Sequence, residues 1–393
     1  MSTQGQPVSA AVSLRILHVI PSLSPARGGP AIVLRQIMSG LSEKGVTIHA
    51  VATDDDGPDK RLTVSHGVPI ADSGGACYCF PRQTGFYSFS WPLTQWLRRH
   101  VAEYDVVHIH ALFSYPSVIA AWLSWRCGTP YLLRPLGTLA QWGLSARRPW
   151  LKAISLRCIE APLMRRAAAV QATSEQERGE ILAACPGCRT VVIPNPVAAP
   201  GEPLLRPARA RPENILFLSR IDPKKGLEIL LAAFSVVGAD APHLRLVIAG
   251  DGEPAYVESI HRLAAGLPVR EQIVFAGNVE AEAKRRLFAE ADLFVLPSWA
   301  ENFGVAVAEA MAHSIPVLIS PNVGIHNEVT SAGAGKTAEC AVEPLARSLH
   351  QMLDAPEELQ RMGENGRRLA LTLYAPDVVA AQLIAAYAAA RRA

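Results

Sequence analysis

The sequence predicts an α/β protein built from two doubly wound, Rossmann-like domains. Three observations carry this. Short apolar strands alternate with helical segments almost from end to end, the rhythm of a mainly parallel sheet. The alternation breaks once, between Pro194 and Pro212, where six prolines fall and hydrophobic periodicity stops. The chain has 393 residues, enough for two domains of roughly 100–200 residues each.

In the first half, strands are expected at Arg15–Ile20, Thr47–Ala52, Val106–Ala111, Pro130–Arg134, Ala168–Ala172 and Val191–Ile193. Helices are expected at Ala31–Glu43, Pro116–Arg126, Trp150–Arg166 and Glu175–Ala184. After the proline-rich break the strands are Asn214–Leu218, Leu244–Ala249, Gln272–Phe275, Leu293–Leu296 and Pro316–Ile319. The helices there are Lys225–Val237, Ala255–Ala265, Ala281–Ala291, Phe303–His313 and Glu343–Leu353. The expected domains are 1–198 and 213–374, joined by a linker at 199–212. A last helix within 375–393 has an apolar stripe and no strand of its own, so it is expected to pack back.

Hydrophobic residues make up 49% and charged residues 19%, which supplies two cores and argues against disorder. A net charge of +3 is too small to imply nucleic acid. Residues 1–13 lack the basic-then-apolar layout of a signal peptide, and no uninterrupted apolar run reaches the ~18 residues of a membrane span. A soluble cytoplasmic protein is the expectation. The seven cysteines are odd in number and scattered, as reduced thiols are. Cys185-Pro186-Gly187-Cys188 has redox spacing, and with Cys77 and Cys79 could supply zinc ligands; a Pro-Gly turn after a helix explains it as well.

Four stretches fall where a strand gives way to a helix, the edge at which such sheets bind ligands. Gly28-Gly29-Pro30 opens a helix and lets backbone approach a phosphate, although a plain tight turn fits too. No GxGxxG is present, which disfavours an ordinary NAD site. His108 and His110 point to one face of a strand. His108 reads as a core histidine, and His110, near the carboxyl end, as a polar contact for a substrate. A metal held by the pair would need a third ligand that the sequence does not reveal. Arg220 and Lys225 flank a helix N-terminus, an arrangement that suits a diphosphate, with a solvated basic turn as the plainer reading.

The fourth stretch is "SWAENFGVAVAEAM", 298–311. A helix starting near Phe303 would present the N–H groups of Phe303, Gly304 and Val305 to an anion, with Asn302 beside them. Glu309 lies six residues further, about 9 Å along the axis, where hydroxyls of a ribose would suit it. Glu301 precedes the helix. A salt bridge for Glu309 and a solvated Glu301 is the alternative.

Together "RIDPKKG" (220–226), "IAGDGE" (248–253) and "SWAENFGVAVAEAMA" (298–312) resemble the signature segments of the family 4 retaining glycosyltransferases, of the glycosyl group 1 type. Glu301 and Glu309 match its E-x7-E element. Gly28-Gly29 and "HIH" (108–110) resemble its N-terminal segments. The resemblance covers residues 15 to about 390. It implies a GT-B fold, two Rossmann-like domains around a cleft, and transfer of a sugar from a nucleotide diphosphate donor with retention and without an essential metal or cofactor. Arg220 and Lys225 would hold the diphosphate, completed by N–H groups at Phe303–Val305 and Gly29. Glu309 would bind the ribose, Glu301 the donor sugar, and His110 would reach the sugar from the other domain. The aspartates at 54–56 are in the N-terminal half and stand apart from that set. The chain departs from the family at "SPNVGIHNEV" (320–329), where Asn322 and His326 are unusual, so Asn322 is a candidate sugar contact. "LLRPLGTLAQWGL" (132–144) is similar to a loop in transferases of polysaccharide assembly, and makes Arg134 a candidate acceptor contact.

Residues 147–166 mix Arg147, Arg148, Lys152, Arg157, Arg165 and Arg166 with Trp150, Leu151, Leu156 and Ile159. Such a helix can rest on an anionic membrane, where a lipid-linked acceptor would sit, or can be an ordinary surface helix. The competing functions are a GT-B sugar-nucleotide epimerase or a phosphorylase, and a non-catalytic nucleotide-binding assembly subunit. The joint presence of Arg220, Lys225, Glu301 and Glu309 disfavours the last.

Overall fold

The computed structural model describes residues 14–57, 59–140, 143–144, 149–200 and 211–392. Most of the expected linker at 199–212 therefore lies outside the described residues, as do Arg147 and Arg148. The chain divides into two compact units. One comprises the chain up to Pro135, Ile154–Val170 and the residues from Leu383 on; the other comprises Leu136–Ala153 and Gln171–Gln382.

The first unit opens with β1 (Arg15–Ser22), α1 (Gly29–Glu43), β2 (Thr47–Thr53), β3 (Ile70–Asp72) and β4 (Gly75–Phe80). It continues through α2 (Trp91–His100), β5 (Val106–His110), α3 (Tyr115–Cys127) and β6 (Tyr131–Arg134). The end of α4 (Pro149–Ser155), α5 (Ala161–Arg166) and the start of β7 (Ala169–Ala172) also belong to it. The sheet order is β3-β4-β2-β1-β5-β6-β7, extended by β8 (Thr190–Val192). Its registered pairs are parallel except β3 with β4. The inner strands β1 and β5 are almost wholly buried because apolar helices cover parallel sheets on both faces.

The second unit carries α6 (Glu175–Ala184), β8, β9 (Asn214–Leu218), α7 (Leu227–Ala239), β10 (Arg245–Ala249), α8 (Pro254–Ala265) and β11 (Ile273–Gly277). It goes on through α9 (Ala281–Glu290), β12 (Leu293–Leu296), α10 (Val305–Ala312), β13 (Val317–Ile319), α11 (His326–Ser331) and β14 (Gly335–Thr337). The helices α12 (Val342–Leu353) and α13 (Pro356–Leu369) and the first half of α14 (Pro376–Ala390) complete it. Its six strands run in the order β11-β10-β9-β12-β13-β14. Helix α7 buries Leu227, Leu230, Leu231, Phe234 and Val237 at three- and four-residue spacing, each worth about 1.5–3 kcal/mol of transfer out of water. β9 and β12 are neighbours, but β10 and β11 lie on one side of them and β13 and β14 on the other. The chain reverses its direction of growth between β9 and β12, and the loops beyond such a point form the binding crevice of a doubly wound sheet.

Several expectations change in detail. The single helix expected at Trp150–Arg166 is two, because a π-turn at Leu156–Glu160 separates α4 from α5. Pro162 has no N–H to continue a regular ladder, and the wider turn brings Glu160 inside. The helix expected from Phe303 starts two residues later, since Gly304 takes a left-handed conformation (φ 90°) and caps α10. β3, β4, α2, β14, α11 and α13 were not expected. β3 and β14 span three residues each, too short for period-two alternation to register.

The final helix returns to the first unit, where Tyr387 is fully buried and its hydroxyl meets His108 Nδ1 at 2.8 Å. The helical run 356–390 holds an 18-residue window of mean hydropathy 1.6, long and apolar enough by composition to cross a membrane. Tyr374, Val379, Leu383 and Tyr387 along it are instead buried in the protein.

Candidate functional site

In the second unit the loops after β9 and β12 come together on either side of the strand-order reversal. The β9 loop makes a short turn at Pro223–Lys225, capped by the Asp222 carboxylate, which accepts from the Lys224 N–H at 3.1 Å. Gly226 then starts α7 at φ 67°. A Cβ there would lie 2.1 Å from the Pro297 carbonyl oxygen of the β12 loop, so glycine is what allows the two loops to meet. The Trp299 N–H donates to the Lys224 carbonyl at 2.7 Å and fastens the loops to each other.

This contact buries Lys225, 6% exposed, with its Nζ on Glu301 Oε2. Glu301 is fixed from the other side: its N–H donates to the Asn322 carbonyl at 3.0 Å and its carbonyl accepts from the Gly324 N–H at 2.9 Å. Lys224 is pushed down from the usual lysine range, first by burial and then by the Lys225 charge. Arg220 stands exposed in the same loop, two residues beyond β9. Three cations thus converge within six residues, the composition an anion would relieve.

The N-terminus of α10 faces the same place. No side chain caps it, so the first N–H groups and the positive end of the helix dipole have no side-chain acceptor. Val305 opens the helix, and Glu309, 18% exposed at its side chain, lies in the next turn with Oε1 2.7 Å from Lys284 Nζ of α9. Phe303 is buried and packs edge-on against Tyr374, with ring centroids 5.2 Å apart. The Asn302 amide donates to Thr173 Oγ1 at 3.0 Å, and Thr173 is held in turn by Glu177. The Asn322 amide meets Cys340 Sγ at 3.6 Å. Arg220, Lys225, Glu301, Val305 and Glu309 are therefore brought to one sheet edge, while the side chains of Asn302 and Phe303 serve internal contacts.

In the first unit Gly28 and Gly29 open α1, and the space above both is clear. Asp54, Asp55 and Asp56 are consumed internally: Asp55 pairs with Arg27 and Arg82, Asp54 accepts from the Arg82 N–H, and Asp56 accepts from Ser24. Cys77, Cys79, Cys185 and Cys188 are buried, and Cys185–Cys188 closes the turn after α6, the Cys188 N–H donating to the Cys185 carbonyl.

His110 ends β5 and is only 1% exposed. Its Nε2 lies 2.9 Å from Nδ1 of His18, on the neighbouring strand β1. The third imidazole absent from the sequence reading is therefore His18, which pairs across the sheet with His108. The three rings pack with centroids 4.4–5.2 Å apart. Their ligating atoms lie within 4.8 Å of one another, the one such convergent group among the described residues. His18 is held down to about 3, first by burial and then by the buried Arg134 at the end of β6; His110 is held well below the usual range by burial, His108, His18 and Arg134. His18 and His110 are thus held neutral, joined ring to ring, with the Arg134 guanidinium's charge acting on both.

Beyond β5 the backbone is strained, with positive φ at Ala111 (73°) and Phe113 (56°), and at Tyr87 (62°) and Ser88 (51°) in the adjoining loop. The Phe113 N–H donates to Glu160 Oε1 at 3.1 Å. Glu160 is 1% exposed and burial raises its carboxyl to about 7. Because this pKa is raised, stability is fullest below the unfolded value of 4.5 and is lost as pH rises to about 7; the loss is about 3 kcal/mol at 1.36 kcal/mol per unit. Glu160→Gln is expected to remove that decline. Urea unfolding at pH 5 and pH 8 checks it, and equal pH dependence in the two proteins would refute it.

Lys284, His18 and Glu160 were missed from the sequence. Lys284 sits in an ordinary charged helix, His18 is a lone histidine in an apolar strand, and Glu160 turns inward only through the π-turn.

Residues 206–369 match the family described as glycosyl transferases group 1, and residues 28–196 match the glycosyl transferase 4-like domain. The chain is 31% identical over 195 residues to the MMP α-(1→4)-mannosyltransferase of Mycolicibacterium hassiacum, covering 46% of this chain and 44% of that one. It is 29% identical over 165 residues to a GDP-mannose-dependent α-(1-6)-phosphatidylinositol monomannoside mannosyltransferase of Mycolicibacterium smegmatis, covering 40% and 43%. The chain thus spans about half the length of the curated relatives it matches. Among solved structures, sucrose-phosphate synthase of Thermosynechococcus elongatus superposes with a TM-score of 0.76 at 21% identity, over 95% of this chain and 98% of that one. Anabaena HepE in complex with UDP and glucose superposes with a TM-score of 0.72 at 20% identity, over 95% and 98%.

Proposed function

Because the chain belongs to the group 1 glycosyltransferases and has a fold of the GT-B type, we propose that it transfers a sugar from a nucleotide diphosphate donor to a hydroxyl acceptor, with retention. The observation that carries this is the pairing of two glutamates with two lysines on either side of an uncapped helix N-terminus: Glu301 with Lys225, and Glu309 with Lys284. The diphosphate takes the place between them, held by Arg220, Lys225 and the N–H groups opening α10. Glu309 takes the ribose hydroxyls and Glu301 the donor sugar.

As the sugar–oxygen bond breaks, charge grows on the leaving diphosphate. Fixed cations and backbone dipoles stabilise it without reorganising, and no metal or other cofactor enters this reading. The leaving phosphate takes the acceptor's proton. Lys225 pairs with Glu301, so a phosphate bound by Lys225 competes with that carboxylate and releases it toward the sugar. His110 and Arg134 are assigned no direct contact here. Saturation-transfer NMR against a panel of sugar nucleotides, on the full chain and on Glu301→Ala and Lys225→Ala, tests the reading. Transfer unchanged in both variants would reject the site.

A lipid-linked or polysaccharide intermediate of surface-glycan assembly is the acceptor class proposed, met at the cytoplasmic face of a membrane. Trp150, Ile154 and Ile159 stand 64%, 55% and 39% exposed beside the exposed Arg157, Arg165 and Arg166. Apolar side chains among cations suit an anionic headgroup region. Flotation with phosphatidylglycerol vesicles is expected to carry the protein up. The Arg157→Ala/Arg165→Ala/Arg166→Ala triple variant should stay behind, and equal flotation of the two would end the idea.

A further inference from the structure

The Asn302 side chain leaves the donor loop and joins a buried hydrogen-bonded network, which bears on how Glu301 is held, on the premise that the donor lies as proposed. Thr173 follows β7, and Ser174 caps α6, its Oγ accepting from the Glu177 N–H at 3.2 Å. Glu177, 1% exposed, turns its carboxylate back toward Thr173. Oε2 accepts from both the N–H and the Oγ1 hydroxyl of Thr173, each at 2.7 Å, and Oε1 accepts from the Gly137 N–H at 2.7 Å. Asn302 lies 129 residues beyond Thr173 but in the same compact unit, and its amide donates to Thr173 Oγ1 at 3.0 Å.

The direction of these bonds follows from the groups. A hydroxyl has one proton, and Thr173 gives its proton to Glu177. The lone pairs of Oγ1 are left for the Asn302 amide, so Glu177 makes Thr173 an acceptor toward the donor loop. The surroundings are closed. Thr173 is 2% exposed, a Cβ at Gly137 would lie 2.6 Å from Asn302 Cβ, and one at Gly324 would run into the Asn302 carbonyl and lie 3.0 Å from Ser174 Oγ. Glu301 itself is tied only through its backbone to Asn322 and Gly324, as an isolated bridge. The Asn302 side chain supplies a second point of attachment one residue away. Two points fix the direction in which the Glu301 side chain leaves the chain, and catalysis is sensitive to misplacement of that order.

We propose that Thr173 is the positioning residue for Glu301: its hydroxyl, oriented by Glu177, holds Asn302 and so aims the carboxylate that the donor sugar meets. Arg220 and Lys225 stand on a different loop, set by the Gly226 turn, so the hold acts on the sugar and spares the diphosphate.

Two measurements on the full-length chain test this: hydrolysis of the sugar nucleotide that the NMR panel selects, and calorimetric titration with UDP and GDP, which lack the sugar. Thr173→Val keeps the shape and loses the hydroxyl. It is expected to lower kcat/KM for hydrolysis about tenfold, while the affinity for the better-bound of UDP and GDP changes less than threefold. Thr173→Ser restores the hydroxyl and should stay within threefold of wild type in both. Asn302→Ala removes the other end of the same bond and should reproduce the loss, so it carries the test if Thr173→Val does not fold. Thermal melts within a few degrees of wild type show that folding is not being read. A loss below threefold in Thr173→Val, a Thr173→Ser protein as slow as Thr173→Val, or nucleotide affinity falling in step with kcat/KM would overturn the role of Thr173 and leave the donor site standing. Nucleotide binding that is absent from the wild type, or unaffected by Lys225→Ala, would overturn the donor site itself.

Discussion

Lys225→Ala is expected to lower kcat/KM for sugar transfer about 10²–10³-fold, the cost of losing one fixed group that stabilises charge developing in a transition state. Most of the loss should fall on kcat, because the charge on the leaving diphosphate grows as the glycosidic bond breaks. Lys225 is suited to this by placement. The Gly226 turn and the Trp299–Lys224 hydrogen bond hold its backbone, and burial to 6% exposure strengthens its field. Arg220, exposed in the same loop, should matter less, since water screens it. The Lys225→Ala/Glu301→Ala double variant should fall short of the product of the two single losses, because the residues are in direct contact. Steady-state kinetics with the donor found by the NMR panel decides the matter. A loss below threefold in Lys225→Ala would mean that the cation pair is structural.

Acid should destabilise the first unit sharply, through the imidazoles of His18 and His110. Both pKa values are depressed in the folded protein, so each ring contributes stability that is present above the unfolded value of 6.5 and is lost as pH falls below it. For His18, held down to about 3, the full loss on reaching that pH is about 5 kcal/mol at 1.36 kcal/mol per unit, a large share of a typical domain's stability. Glu160 acts in the opposite sense between pH 4.5 and 7, so the comparison must be made between variants. His18→Asn is expected to be less stable at pH 7, because a ring–ring hydrogen bond is lost. Its unfolding free energy should nonetheless fall less steeply below pH 6.5, by about 1.4 kcal/mol per pH unit. Urea titrations at pH 7, 6 and 5 give the slopes. Equal slopes in the two proteins, or a His18 NMR signal titrating near 6.5 in the folded state, would contradict a neutral buried pair of His18 and His110.

Much of this was legible in the sequence for a plain reason. Parallel strands buried on both faces must be short apolar runs, and helices covering them must carry a periodic apolar stripe. Asn214–Leu218, Leu293–Leu296 and Glu175–Ala184 therefore announced themselves at their observed limits. Arg220, Lys225 and Glu301 were legible as candidates because loops between strand and helix have few structural reasons to hold that pattern, and Glu309 because a carboxylate stands out in an apolar helix. The start of α10 was less so: Gly304 takes φ 90°, and Val323, whose Cγ1 would lie 2.9 Å from a Cβ added there, comes beside it only in the fold.

Partnership across the fold was not legible at all. A sequence states which side chains exist and, through periodicity, which face of an element they occupy; it does not state which element lies alongside. His108 and His110 could be placed on one face of β5, but His18 joined them only when β1 and β5 became neighbours in the sheet. Glu160 could be counted among the charges of a surface helix, yet the π-turn carried it inside to the Phe113 N–H and raised its pKa. Lys284 was one cation among three on α9 until packing against α10 set it on Glu309. Local rules of chain geometry wrote the strands, the helices and the ligand-bearing loops into the sequence. The electrostatic identity of the buried groups was decided by tertiary structure, because charge depends on burial and on neighbours brought from distant parts of the chain.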